Sequence, residues 1–134
     1  MKNRYVIDTH IFLWLVFNPN KINDKIRRLL EDKNNQVFIC NTSFWEISIK
    51  YNLGKLDLNG VSPKELPNIA IKMSIEIIQV NHDIMANFYQ LPKVEKHKDP
   101  FDRIMIYYCI YHKLTLVSID DKCNEYQKFG LDLI

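Results

Sequence analysis

Short β-branched apolar runs alternate with stretches of helical periodicity along this chain: RYVID, QVFIC, SIEIIQV and LTLVSI each read as a buried strand. The segments between the first four of them are long enough to carry a crossover helix. Asp8 is followed by IFLWLVF, helical in character until Asn18-Pro19-Asn20 breaks it. Ile22, Ile26, Leu29 and Leu30 then recur at helical spacing up to Asn34-Asn35. A third helix is expected from Ser43, with Phe44, Ile47 and Tyr51 on one stripe, Trp45, Ile49 and Leu53 beside it, and Gly54 as the stop. After a turn at Asn59-Gly60 and Pro63, another helix runs through Leu66, Ile69 and Met73. Asn81 can cap a helix with Ile84, Met85, Phe88 and Leu91 on its apolar face, ending at Pro92 and the charged loop KVEKHK. The longest helix should follow, with Asp99 as N-cap, Pro100 at its first position and Ile104, Met105, Tyr108 and Tyr111 inward. A helical turn from Asp120 and a last strand around Leu131–Leu133 complete the order.

Such alternation predicts the α/β class: a central, mainly parallel sheet of about five strands, covered by helices on both faces through right-handed crossovers. All strand ends then share one edge, and ligands bind beyond that edge. With 134 residues, 47% hydrophobic, and no linker, repeat or low-complexity segment, residues 1–134 are expected to form one domain.

Cys40, Cys109 and Cys123 are odd in number and far apart, so neither a disulfide framework nor a CxxC metal site is indicated. No run reaches the ~18 apolar residues of a membrane span, and IFLWLVF follows an aspartate rather than a basic leader. The expectation is a cytoplasmic protein with no membrane association.

Four of the apolar runs deliver a carboxylate at or beside a helix start. Asp8 and Asp120 follow strands, while Glu46 and Asp102 fall in the first turns of helices. Singly, each has a plain explanation. Asp8 and Asp120 can be N-caps, Ser43-x-x-Glu46 is a capping box, and Asp102 lies where the helix dipole favours an anion. Jointly they need more, because Ser, Thr or Asn would cap equally well. Two carboxylates about 5 Å apart repel by roughly 3 kcal/mol at an effective dielectric of 20, so four ionised together call for cations. Oxygen ligands point to Mg²⁺ or Mn²⁺, which can neutralise a phosphate and support in-line attack on a phosphodiester. The formal charge of +2 becomes distinctly basic once these four acids are set aside, which suits a polyanion. Scattered lysines such as Lys25, Lys33, Lys50 and Lys55 also read as a solvated face.

The segments YVIDTHIFLWL, SFWEISIKYNLGKLDL, LPKVEKHKDPFDRIM and LVSIDDKC together resemble the PIN-domain ribonucleases, and within them the VapC-type toxins of toxin–antitoxin systems. The resemblance runs through essentially the whole chain. It implies a PIN-like α/β/α sandwich, with Asp8, Glu46, Asp102 and Asp120 as the catalytic, metal-holding acids and Thr9 and Ser118 in supporting positions. Asp121 and Asp99 are the competing acids; the motif favours Asp120 over Asp121, and capping accounts for Asp99. The resemblance further implies metal-dependent hydrolysis of RNA, a cognate antitoxin covering the acidic groove, and a homodimer. His97, Lys98 and Arg103 flank the site in sequence and are candidate phosphate contacts. His10, His82 and His112 read as ordinary residues, and Trp14 and Trp45 as core. The alternatives are an aspartyl phosphotransferase, which commonly needs D-x-D where this chain has Asp8-Thr9-His10, and a receiver-like signalling domain, for whose lysine Lys122 is a poor stand-in.

Overall fold

A computed structural model describes residues 3–134. Strands β1 (Arg4–Ile7), β2 (Gln36–Cys40), β3 (Ile75–Ile78), β4 (Thr115–Val117) and β5 (Asp132–Leu133) form one sheet in the order β3-β2-β1-β4-β5. Every neighbouring pair is parallel, and Val6 on the central strand stands opposite Phe38 on one side and Leu116 on the other. The mixed α/β class and the five-strand parallel sheet are as the alternating sequence implies.

Because helices cover both faces, the strands are apolar on both, and Tyr5, Val6 and Ile7 are all buried. Alternate side chains go to opposite layers. Val6, Cys40, Ile78 and Leu116 pack with residues of α5 (His82–Asn87), α6 (Pro100–His112) and a 3₁₀ segment over Asp121–Phe129. Tyr5, Ile7, Val37, Ile39 and Val117 pack instead with α1 (Thr9–Phe17), α3 (Asn41–Asn52) and α4 (Leu66–Lys72), with α2 (Asp24–Glu31) resting on the same cluster through Ile26 and Leu30. The result is an α/β/α sandwich. None of its helices is long and apolar enough to cross a membrane among the described residues.

Helix starts follow the sequence closely where a side chain caps them. Asp8 accepts from the Ile11 amide at 2.7 Å, Asn23 from Lys25 at 2.8 Å, Asn81 from Ile84 at 3.0 Å and Asp99 from Phe101 at 2.9 Å. Helix α3 departs from expectation. It begins at Asn41, immediately after β2, with Cys40 as a cap that makes no side-chain bond. Ser43 and Glu46 therefore lie inside the helix and form no capping box. Asn41 takes up the link to the neighbouring strand instead, accepting from the Val80 amide at 3.2 Å.

Several apolar residues also face outward rather than inward. Tyr111 and Met85 are exposed, as are Trp45, Tyr51 and Leu53. Helix α6 carries more apolar residues than its inner face can take, and Met105, Ile106, Tyr107 and Cys109 fill that face. On α3 the buried stripe is Ser43, Glu46 and Ile47, which leaves Trp45, 64% exposed, to pack edge-on against Phe101 with ring centroids 5.4 Å apart.

Candidate active site

At the carboxyl edge of the sheet, the ends of β1 and β4 are tied together through Asp8. Its amide donates to the Val117 carbonyl at 3.1 Å, and its Oδ2 accepts from Ser118 Oγ at 2.7 Å and the Ile119 amide at 3.4 Å. With Oδ1 capping α1, both oxygens are occupied. Burial raises the Asp8 pKa above the ordinary value, against the opposing pull of the Ile11 and Ser118 hydrogen bonds. Ser118 also accepts from the Asp120 amide at 3.1 Å, so one hydroxyl links two of the acids.

Glu46 reaches the same edge from β2 through α3 and is 2% exposed. Its Oε1 accepts from the Thr9 hydroxyl at 2.7 Å, and Ser43 Oγ lies 3.0 Å from that same hydroxyl. Thr9 has one proton, so with it given to the carboxylate, Ser43 donates to Thr9. The other oxygen, Oε2, accepts from Lys50 Nζ at 2.6 Å, one helical turn on. Burial works against the Lys50 ammonium, yet the Glu46 hydrogen bond and the charges of Glu46, Asp99 and Asp102 hold its pKa above the usual lysine value.

Asp102 sits in the first turn of α6, where Asp99 occupies the cap and also accepts from the Asp102 amide at 3.3 Å. Burial pushes the Asp102 carboxyl up to about 6, helped by the negative charges of Asp99 and Glu46 and opposed by the His97 hydrogen bond. Asp120 caps the 3₁₀ segment by accepting from the Lys122 amide at 3.0 Å. Between these two acids stands His97, 2% exposed, with Nε2 3.4 Å from Asp102 Oδ2 and 4.0 Å from Asp120 Oδ2. Its Nδ1 is 2.8 Å from the Tyr126 hydroxyl.

Among the described residues, His97, Asp102 and Asp120 form a set whose potential ligand atoms all lie within 4.8 Å of one another. Two carboxylates and one imidazole nitrogen fit a divalent cation that keeps positions open for water and phosphate. Asp8 and Glu46 lie outside that set, their oxygens bound to protein donors. Burial is the first cause of the upward shift at both Asp8 and Asp102, and at Asp102 the neighbouring acids Asp99 and Glu46 add to it.

The flanking basic residues are placed differently from expectation. The Arg103 guanidinium donates to the carbonyls of Leu91 and Pro92, both at 3.2 Å, and lies 5.3 Å from the Phe88 ring centroid. Two backbone carbonyls and an aromatic face hold it against the α5–α6 connection. His97 is buried against Tyr126, with Nε2 turned to Asp102 and Asp120. Lys98 is exposed, and so is Asp121. Two further residues join the site without being singled out for it by the sequence: Lys50, which reads as part of a solvated face, and Tyr126. The i,i+4 spacing of Glu46 and Lys50 was a usable signal for the first.

The family model for the PIN domain matches residues 5–128. No curated protein matches the chain. Among solved structures, the chain is similar to one in VapBC2 from Rickettsia felis bound to a DNA fragment from its promoter. The TM-score is 0.65 at 17% identity, over 98% of this chain and 97% of that one. A toxin–antitoxin complex from Klebsiella pneumoniae gives 0.55 at 20% identity, over 87% and 86% of the two chains. FitAB bound to an IR36 DNA fragment gives 0.58 at 14%, over 97% and 93%. At these identities the likeness is one of fold, whereas the family model spans most of the chain. The chain belongs to the PIN domain family.

Proposed function

We propose that this protein is a divalent-metal-dependent endoribonuclease and the toxin of a toxin–antitoxin pair, with Asp8, Glu46, Asp102 and Asp120 as its acidic site. The observation that carries the proposal is the set of His97, Asp102 and Asp120, whose potential ligand atoms lie within 4.8 Å of one another, in a chain matched by the PIN-domain family model. A divalent ion bound there would neutralise phosphate charge and lower the pKa of an attacking water. The chain's own part is positional. Asp102 and Asp120 present open oxygens, His97 is held by Tyr126, and Ser118 and Thr9 fix Asp8 and Glu46.

The toxin assignment draws on the solved neighbours, one a toxin–antitoxin complex and the others VapBC2 and FitAB bound to DNA. An antitoxin segment covering the acidic edge and a homodimer belong to the same proposal, as do RNA as substrate and Mg²⁺ or Mn²⁺ as the metal. Aspartyl phosphotransfer is less well supported, since Asp8 is 3% exposed with both oxygens hydrogen-bonded. Receiver-type sheets run 2-1-3-4-5, unlike this one.

Purified protein incubated with RNA should cut it in Mg²⁺ or Mn²⁺ and stop in EDTA, leaving 5′-phosphate and 3′-hydroxyl ends. Asp8→Asn and Asp102→Asn should each lose at least roughly 100-fold in rate. Undiminished cutting in EDTA, or 2′,3′-cyclic phosphate products, would sink the mechanism. Co-purification with the product of the neighbouring reading frame tests the antitoxin, and light scattering tests the dimer.

A further inference from the structure

Glu46 is an odd carboxylate for a metal ligand. It is 2% exposed, one oxygen is taken by Thr9 at 2.7 Å, and the other by Lys50 at 2.6 Å. An ordinary i,i+4 bridge on a helix joins two solvated side chains and holds them loosely. Here only the lysine end reaches water, at 40% exposure, while the acid end is fixed in the fold. A fixed buried carboxylate needs a cation in contact with it, since removing the partner leaves a charge that water cannot reach. The ammonium meets that need by geometry alone. It also stands in the field of Asp99 and Asp102, so its charge is shared with the side of the site where His97, Asp102 and Asp120 converge.

We propose that Lys50 is a resident cation of this site, occupying through its clasp on Glu46 the place a second metal ion would take, so that the chain holds a single divalent ion on the Asp102–Asp120–His97 side. The inference rests on the acids being a metal centre, as in the function proposed above. It assigns Glu46 the part of a charge that anchors Lys50, rather than that of a direct ligand. A second dication on Glu46 would have to displace the ammonium or endure its repulsion, twice that between unit charges at the same distance. Lys50 is thus a positioning residue whose effect is read in metal binding, independently of RNA.

The test is Mn²⁺ binding to the metal-free full chain, followed by calorimetry and by the loss of the free-ion paramagnetic resonance signal, for wild type, Lys50→Arg, Lys50→Gln and Lys50→Gln/Glu46→Gln. Wild type and Lys50→Arg should each bind one ion. Lys50→Gln should take up a second, or hold the first about tenfold more tightly, because a repelling charge is gone. Its metal-free melting temperature should fall by about 4 °C and recover with Mn²⁺ by more than the wild type gains. In the double variant both changes should vanish, since no buried charge is left unpartnered. Two ions in wild type, or unchanged or weaker binding in Lys50→Gln, would overturn the inference. A lower melting temperature with unaltered Mn²⁺ binding would do so too, as the mark of a merely structural bridge. The nuclease proposal fails separately: a wild type that counts one ion and cuts no RNA refutes that proposal alone, and a wild type that cuts RNA but counts two ions refutes this one alone.

Discussion

At Asp102 the folded chain holds a carboxyl at about 6 that ionises near 3.8 when unperturbed, with burial as the main cause and Asp99 as the second. Between about pH 4 and 6 the folded state therefore binds a proton that the unfolded state has released. Stability from this group is full below that window and is lost as pH rises through it. Asp8, also raised by burial, acts in the same direction. Metal-free protein in EDTA should accordingly melt at a lower temperature at pH 7.5 than at pH 5, and Asp102→Asn should flatten that slope. Saturating Mn²⁺ at pH 7.5 should restore what the wild type lost. Parallel slopes for wild type and variant across a melting series would refute the assignment. Asp8 and Asp120 were legible in the sequence because a strand ending in an acid is a local pattern. His97 and Lys50 were less so, because their neighbours are set by tertiary packing: a buried tyrosine 29 residues away for one and the burial of Glu46 for the other.

Helix α6 shows how one element serves stability and the site together. Asp99 caps it by accepting from Phe101 and Asp102, while its charge raises the neighbouring acid. Asp99→Asn should keep the cap and lower the Asp102 pKa, whereas Asp99→Ala should cost about 1 kcal/mol of stability. Urea unfolding separates the two variants, and a carbon-13 titration of the Asp102 carboxyl reads the charge effect; equal stability losses would contradict the capping role. Capped helix starts were readable because the cap is local. The start of α3 was not, because β2 passes into it without a loop and Ser43 is drawn to Thr9 across the fold. Nor was the outward turn of Tyr111 and Trp45 readable, since apolar periodicity marks a face without saying how wide a partner covers it.

Over the whole molecule, one sheet separates two cores that share its strands, so neither can open without exposing the other. The three thiols all sample one of these cores. Cys40 ends β2, Cys109 is on the inner face of α6, and Cys123 is a buried residue of the 3₁₀ segment with its Sγ 3.6 Å from Ser118 Oγ. Burial pushes Cys40 up to about 12 and Cys123 up to about 11, and raises Cys109 well above the usual thiol range. All three should resist a disulfide reagent in native buffer and then react in one phase at the rate of global opening. Early labelling of Cys123 alone would show that the segment after Asp120 opens by itself.

The bond from Ser118 to Asp8 spans 110 positions of sequence and joins the two ends of the site. A chain emerging from the ribosome delivers Asp8 and Glu46 early, but β4 must be released before it can dock on β1 and bring Asp120 to them. Chains that stop before β4 thus carry three of the four acids and no closed site. Closing of the acidic edge is therefore one of the last events in the making of the chain.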